Sequence, residues 1–225
     1  MNTTKKVEAL AAKAHEVTKP FRKEASDSVR EALQELRKKI LHLTNLVTTF
    51  RTKEEEIMKD CVIPTSSTPP YYDNPVLPSN KTLSGLVEIV EQEAVSILKI
   101  YTLIKFWIQL CVPPLEEGQR FGVEVQTEVV GDITAAENNA DDIVGSLQEY
   151  HESRASHLHK ICKYENIENY KTLLREFDRK IWYETISDLL SLRNDAAMTV
   201  LCVEKNEQKI VMPSGIALHM HHSIY

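Results

Sequence analysis

Glycine is scarce in this chain, six residues among 225, while 27% of residues are charged. That is poor material for a barrel or sandwich full of tight turns, and it suits long helices with solvated faces. Nucleotide fingerprints are missing. No Gly precedes Lys-Ser or Lys-Thr, and no Gly-x-Gly-x-x-Gly occurs, so ATP is not implied. No His has a Glu three residues before it, which removes the di-iron pattern a four-helix bundle would otherwise raise. The four cysteines, Cys61, Cys111, Cys162 and Cys202, form no Cys-x-x-Cys pair. Neither a zinc ribbon nor a compact disulfide framework is indicated, and scattered reduced thiols fit an intracellular chain. Positive charge is in deficit: 27 Lys+Arg against 33 Asp+Glu give a formal charge of -6. Nucleic-acid binding over a broad face needs the opposite balance. The opening Met1-Asn-Thr-Thr-Lys-Lys lacks the apolar core of a signal peptide. The sequons at Asn2 and Asn80 are therefore expected to be irrelevant. The most apolar window, Ile97 to Val112, is read as too short for a bilayer span and carries Lys99 and Lys105. No membrane, cofactor or metal is expected.

What is present is apolar periodicity, with 42% hydrophobic residues, enough for a sizeable core. From Val7 the stripe runs through Leu10, Ala14, Val17, Phe21, Ala25, Val29, Leu33, Leu36, Ile40, Leu43, Leu46 and Phe50 in steps of three or four, an amphipathic helix. Pro20 predicts a kink or a frayed first segment. Residues 61–80 hold five of the nine prolines and read as a flexible linker. A second helix is expected from Ser79 or Asn80, either a fair cap, to Pro113-Pro114. A third stripe runs from Val125 to Tyr150 and fades after Ile161. The fourth, Tyr170, Leu173, Phe177, Ile181, Ile186, Leu189, Leu192, Ala196, Thr199 and Val203, ends before Pro213. The expected fold is all-α, an elongated four-helix bundle with its first long helix in 1–60 and the other three in 81–213. A connecting loop at 113–122 and a tail at 214–225 complete it. Rods of this kind tend to pack side by side, so an oligomer is expected.

Candidate chemistry is thin. His151, His157 and His159, and His219, His221 and His222 in the tail, raise metal binding or pH sensing. No carboxylate or Cys completes either set, which favours solvated polar residues. Asp141-Asp142 and Glu116-Glu117 are adjacent on the chain and do not face each other as a catalytic pair would. Lys53-Glu-Glu-Glu56 reads as the solvated end of the first helix. The informative place is the connection after Pro114, short, charged and pinned at both ends. A loop of that kind either pushes on a partner or merely joins two helices.

Here the chain reads Val112-Pro-Pro-Leu-Glu-Glu-Gly-Gln-Arg-Phe-Gly-Val-Glu-Val-Gln126. It resembles the activation loop of the 11S proteasome activator (REG) family, Ile-Pro-Arg-Ile-Glu-Asp-Gly-Asn-Asn-Phe-Gly-Val-x-x-Gln. Phe106-Trp107-Ile108-Gln109-Leu110 resembles the helix before that loop. Ser153-Arg154-Ala155, Lys160-Ile161, Lys163-Tyr164, Glu168-Asn169-Tyr170, Leu173 to Asp178, Leu192-Arg193-Asn194 and Tyr225 look most like the gamma subtype. The resemblance covers residues 80–225 well and the first helix loosely. It implies a non-catalytic subunit of a ring of seven that caps the 20S proteasome without ATP, the gamma-like matches favouring identical copies over a ring shared with a sister subunit. Ser223, Ile224 and Tyr225 would dock between outer-ring α subunits, a terminal-carboxylate capture mode with avidity from several tails. Glu116, Glu117, Gly118, Gln119, Arg120, Phe121 and Gly122 would contact the turns that hold the gate, in cytoplasm or nucleus. Gln119-Arg120 in place of Asn-Asn, and Pro114 in place of Arg, depart from the family pattern at the contact itself. The alternative that periodicity alone allows is a helical scaffold that binds partners without opening a gate.

Overall fold

The computed structural model describes residues 2–64, 77–113 and 120–213, leaving out the side chains of 2–18, 120 and 121. It is all-α: α1 (Asn2–Arg51), α2 (Glu54–Asp60), α3 (Lys81–Cys111), α4 (Arg120–Lys163) and α5 (Glu168–Val211), with no strand among the described residues. Helix α1 continues through Pro20 without a break. It ends nine residues before the expected boundary at 60, and α2 follows as a separate short helix. Thr44, Thr48 and Thr49 each donate their hydroxyl to the carbonyl four residues back. Such back-bonding weakens a helix, and the amides of Thr52 and Lys53 turn back to Thr49 and Phe50 instead. Glu54, Glu55 and Glu56 then occupy the first turn of α2, where the helix dipole favours negative charge.

Two compact units draw on the four long helices: Met1–Lys38, Lys99–Glu137 and Ala196–Tyr225 form one, Lys39–Leu98 and Asn138–Asp195 the other. The first has a core that includes Val29, Leu36, Tyr101, Ile104, Ile133 and Val203. The second buries Leu43, Phe50, Ile57, Val90, Tyr150 and Leu189. Helix α3, 31 residues long, has the length and composition to cross a membrane, which corrects the expectation that its apolar run is too short. Its apolar side chains are used in packing: Leu83, Val90, Ala94 and Ile97 in the second unit, and Tyr101, Ile104 and Ile108 in the first, have no exposed surface.

The Pro-rich stretch is not loose at its ends. Cys61 lies in a cluster with Leu158, Ile161 and Leu174, against which Ile63, Leu77 and Tyr170 pack. Asn80 has no exposed surface, so its sequon is inaccessible in the folded chain. Its Oδ1 accepts the Leu83 amide at 3.1 Å as the cap of α3, and its Nδ2 donates to Ile57 O at 3.0 Å and Asp178 Oδ2 at 2.9 Å. Asp60 Oδ2 takes the neighbouring Thr82 amide at 3.1 Å, and the bonds from Thr82 hold its carboxyl below the usual range. Asp178 is wholly buried and paired with Arg154, whose Nε lies 3.0 Å from Oδ1, while Arg154 Nη1 donates to Pro78 O at 3.2 Å. One buried ion pair thus ties α4, α5 and the approach to α3 in the second unit. Around it Cys61 is pushed up to about 11 and Tyr150 to about 12, chiefly by burial and then by the Asp178 charge, so both stay protonated.

Arg154→Met leaves the buried Asp178 carboxylate without its cation and is expected to cost about 3–5 kcal/mol in urea unfolding, while Arg154→Met with Asp178→Leu recovers most of it. A single-variant cost within about 0.5 kcal/mol of zero, the range of ordinary surface substitutions, contradicts this account of the pair. Asp188 supplies a pH test. Its carboxyl is raised to about 6, first by burial and then by Glu184 one turn away. The folded state therefore holds this proton more tightly than the unfolded chain. Stability is lost as pH rises from about 4 through about 6, and the penalty is complete above that. Asp188→Asn is expected to gain on the order of 2 kcal/mol near pH 8 and almost nothing near pH 4. Equal gains at both pH values would contradict the assignment.

Candidate functional site

Helix ends leave carbonyl groups without intrahelical partners. Cys111 is the last residue of α3, and Ile210 lies one residue before the end of α5. Both carbonyls accept a hydrogen bond from the same side chain: Gln126 Nε2, in the second turn of α4, lies 3.1 Å from Cys111 O and 2.7 Å from Ile210 O. Because a carbonyl only accepts, the two bonds fix which end of the amide carries nitrogen. Gln126 is 1% exposed, and its Oε1 has no hydrogen-bond partner among the described residues. The side chain is kept for its donors. Burial raises the nearby Cys111 thiol, which disfavours the reactive thiolate form.

One turn earlier, a Cβ on Gly122 would lie 2.1 Å from the Pro213 carbonyl oxygen and 2.5 Å from its Cα. The two main chains touch, and only glycine fits. The entry to the 113–122 connection, its exit, and the last described residue before the tail are thus held at one junction of the first unit. Val112, Val211 and Met212 are exposed beside it.

The sequence-predicted residues divide as follows. Glu116, Glu117, Gly118 and Gln119 lie outside the described residues, as do Ser223, Ile224 and Tyr225. Arg120, Phe121 and Gly122 are in the first turn of α4, not in the connection where the sequence reading placed them, and Gly122 is buried. Gln126 carries the junction and had no role in the sequence reading. Its signal was available: Gly122, Gln126, Val129 and Ile133 follow the core register, and an amide in an apolar stripe needs partners. His157 is half-buried and not a freely solvated residue. Its ring packs on Phe177 with centroids 4.8 Å apart, and burial, then Lys160, lowers its pKa. Among the described residues no three His, Cys, Asp or Glu side chains group as a metal site. His219, His221 and His222 lie outside the described residues.

A family model described as proteasome activator PA28, C-terminal, matches residues 76–219. The chain belongs to the PA28 family. Human proteasome activator complex subunit 3 is 31% identical over 140 residues, 62% of this chain and 55% of that protein. The match thus spans about half the length of that relative. Among solved structures, the 11S subunit PA28 of the Plasmodium falciparum proteasome superposes with a TM-score of 0.72 at 28% identity, over 90% of this PA28-family chain and 95% of that one. The complex of the yeast 20S proteasome with the activator PA26 of Trypanosoma brucei contains a similar chain. Its TM-score is 0.66 at 14% identity, covering 91% of this chain and 98% of that one, a likeness of fold alone.

The contact at Gly122 has a measurable consequence for this PA28-family chain. Gly122→Ala forces an overlap with backbone and is expected to cost about 1–3 kcal/mol, read as a lower thermal midpoint. Gly131→Ala, whose Cβ meets nothing within 4 Å, is expected to be neutral or to gain up to about 1 kcal/mol from helix propensity. Equal effects of the two changes would contradict the close approach at Pro213.

Proposed function

We propose that this chain is a non-catalytic subunit of an ATP-independent cap that activates the 20S proteasome for peptide hydrolysis. The observation that carries the reading is the junction of Gly122, Gln126, Cys111, Ile210 and Pro213, which holds both ends of the loop segment beside the root of the tail. Family membership supplies the partner: relatives are named proteasome activators, and PA26, a chain of similar fold, is found bound to a 20S proteasome. The partners proposed are the outer-ring α subunits and further copies of this chain in a ring of seven, in the cytoplasm or nucleus.

Two jobs are divided between two segments. Ser223, Ile224 and Tyr225 dock, each tail weakly and the set together strongly. Glu116, Glu117, Gly118, Gln119 and Arg120 contact the gate-bearing turns and bind their open arrangement better than the closed one, which shifts the population toward open. Phe121 and Gly122 start the helix that carries the loop's exit. No bond is made or broken by this chain.

Hydrolysis of a fluorogenic peptide by latent 20S proteasome tests the reading, with and without the full chain and with a variant lacking Ser223 to Tyr225. The expected result is stimulation without ATP by the full chain and none by the truncated one. Stimulation that survives truncation rejects the docking role of the tail. If neither stimulates, a pull-down separates a cap that binds without opening from a helical scaffold with another partner.

A further inference from the structure

We infer that Gln126 is a positioning residue that couples docking to gate opening, by fixing the loop's entry and exit against the root of the tail. The inference rests on the activator reading above and concerns its regulation. Three separate pieces of backbone must keep one arrangement if a docked tail is to deliver the loop to a fixed place: the end of α3, the start of α4 and the end of α5. Apolar packing alone does not specify such an arrangement, because dispersion is non-directional and tolerates small slides. Gln126 supplies direction. Its two amide protons are each committed to a carbonyl at 3.1 Å and 2.7 Å on two different helix ends. The site is 1% exposed, so water does not replace either bond.

Two further features fit this role. Gly122, one turn before Gln126, brings the loop's exit into contact with Pro213, so a displacement of the tail root is felt at the loop's exit. The unpartnered Oε1 of Gln126 carries a desolvation cost that an apolar residue of the same size would avoid. A residue serving only to fill space would be Leu or Met. The two donors are what a Gln adds at this position.

The test separates docking from opening in the full chain. Gln126→Met keeps the volume and removes both donors. Binding to 20S proteasome is measured by surface plasmon resonance, and peptide hydrolysis is measured at saturating activator. The half-saturating concentration is expected to change less than about twofold while maximal stimulation falls about tenfold, the signature of a lost differential interaction and not of lost affinity. A second variant leaves the bundle untouched: four Gly-Ser residues inserted between Pro213 and Ser214 add up to about 13 Å of slack between the docked tail and the junction. It too is expected to bind and to stimulate poorly, and it decides the matter alone if Gln126→Met does not fold. Full stimulation by either folded variant overturns the coupling. Parallel loss of binding and stimulation overturns it as well, since the junction would then serve docking. A wild-type chain that does not stimulate overturns the activator reading and this inference with it. A wild-type chain that stimulates beside unaffected variants overturns this inference only.

Discussion

A helix cannot satisfy its own last carbonyls, and where helix ends are buried those groups must find donors elsewhere. In this chain that requirement falls on few side chains, because the core is otherwise aliphatic and aromatic. At the ends of α3 and α5 the donor is Gln126, shared between Cys111 and Ile210. At the end of α1 it is Trp182, whose Nε1 donates to Phe50 O at 2.8 Å. Either side chain could be replaced by an apolar one of similar size with little loss of buried area. Replacing Gln126 would leave the Cys111 and Ile210 carbonyls short of a donor at about 1–3 kcal/mol each, while replacing Trp182 would leave Phe50 O with the Lys53 amide alone, which makes these bonds specifying contacts of a core that packing alone leaves approximate.

The second unit applies the same rule with charge. Asp178 and Arg154 are buried together, and Asn80 and the Pro78 carbonyl supply further hydrogen bonds to the pair, although Arg154 Nη2 has no partner among the described residues. A well-bonded buried ion pair is often neutral or worse for stability against an apolar substitute, so its main effect is on which arrangement forms. Asn80 is the hinge of that argument. It caps α3, reaches the Ile57 carbonyl in α2 and completes the Asp178 shell, so the start of α3 is fixed by the pair that joins α4 to α5.

Apolar periodicity made the four long helices legible, along with their ends at Pro113 and before Pro213. Polar residues that are buried for their hydrogen bonds were not legible, since a hydrophobicity stripe steps around them. The start of α5 shows this most clearly. The stripe of Leu173, Phe177 and Ile181 is one residue out, because the inward face is Leu174, Asp178, Trp182 and Thr185. An inward Asp is visible only from its partner Arg154 on another helix. The packed ends of the Pro-rich stretch were hidden for a similar reason, since they depend on bonds and contacts to residues distant in the chain, while the break at Thr52-Lys53 rests on local threonine back-bonds that a hydrophobicity stripe does not register. The loop motif gave the family, yet Gln126 at its end went without a role until both of its carbonyl partners were in view.

Affinity and opening need separate physical sources. Tails that bind equally well whether the gate is open or closed raise occupancy and move no gate, however tight they are. The differential interaction has to come from the loop, and a loop spends less of its interaction free energy on ordering when its ends are already fixed. On the activator reading this separates the residues that frame the loop from those that touch the partner. Phe121, Gly122, Val123 and Gln126 keep the family pattern, and the last of these makes the junction. Pro114, Gln119 and Arg120 depart from it, all within the segment proposed to meet the protease. A frame that is kept while the contact chemistry changes is the pattern expected of an activator adjusted to a different gate. A loop that had lost its task would have no reason to retain a buried amide with an unpaired oxygen at its base.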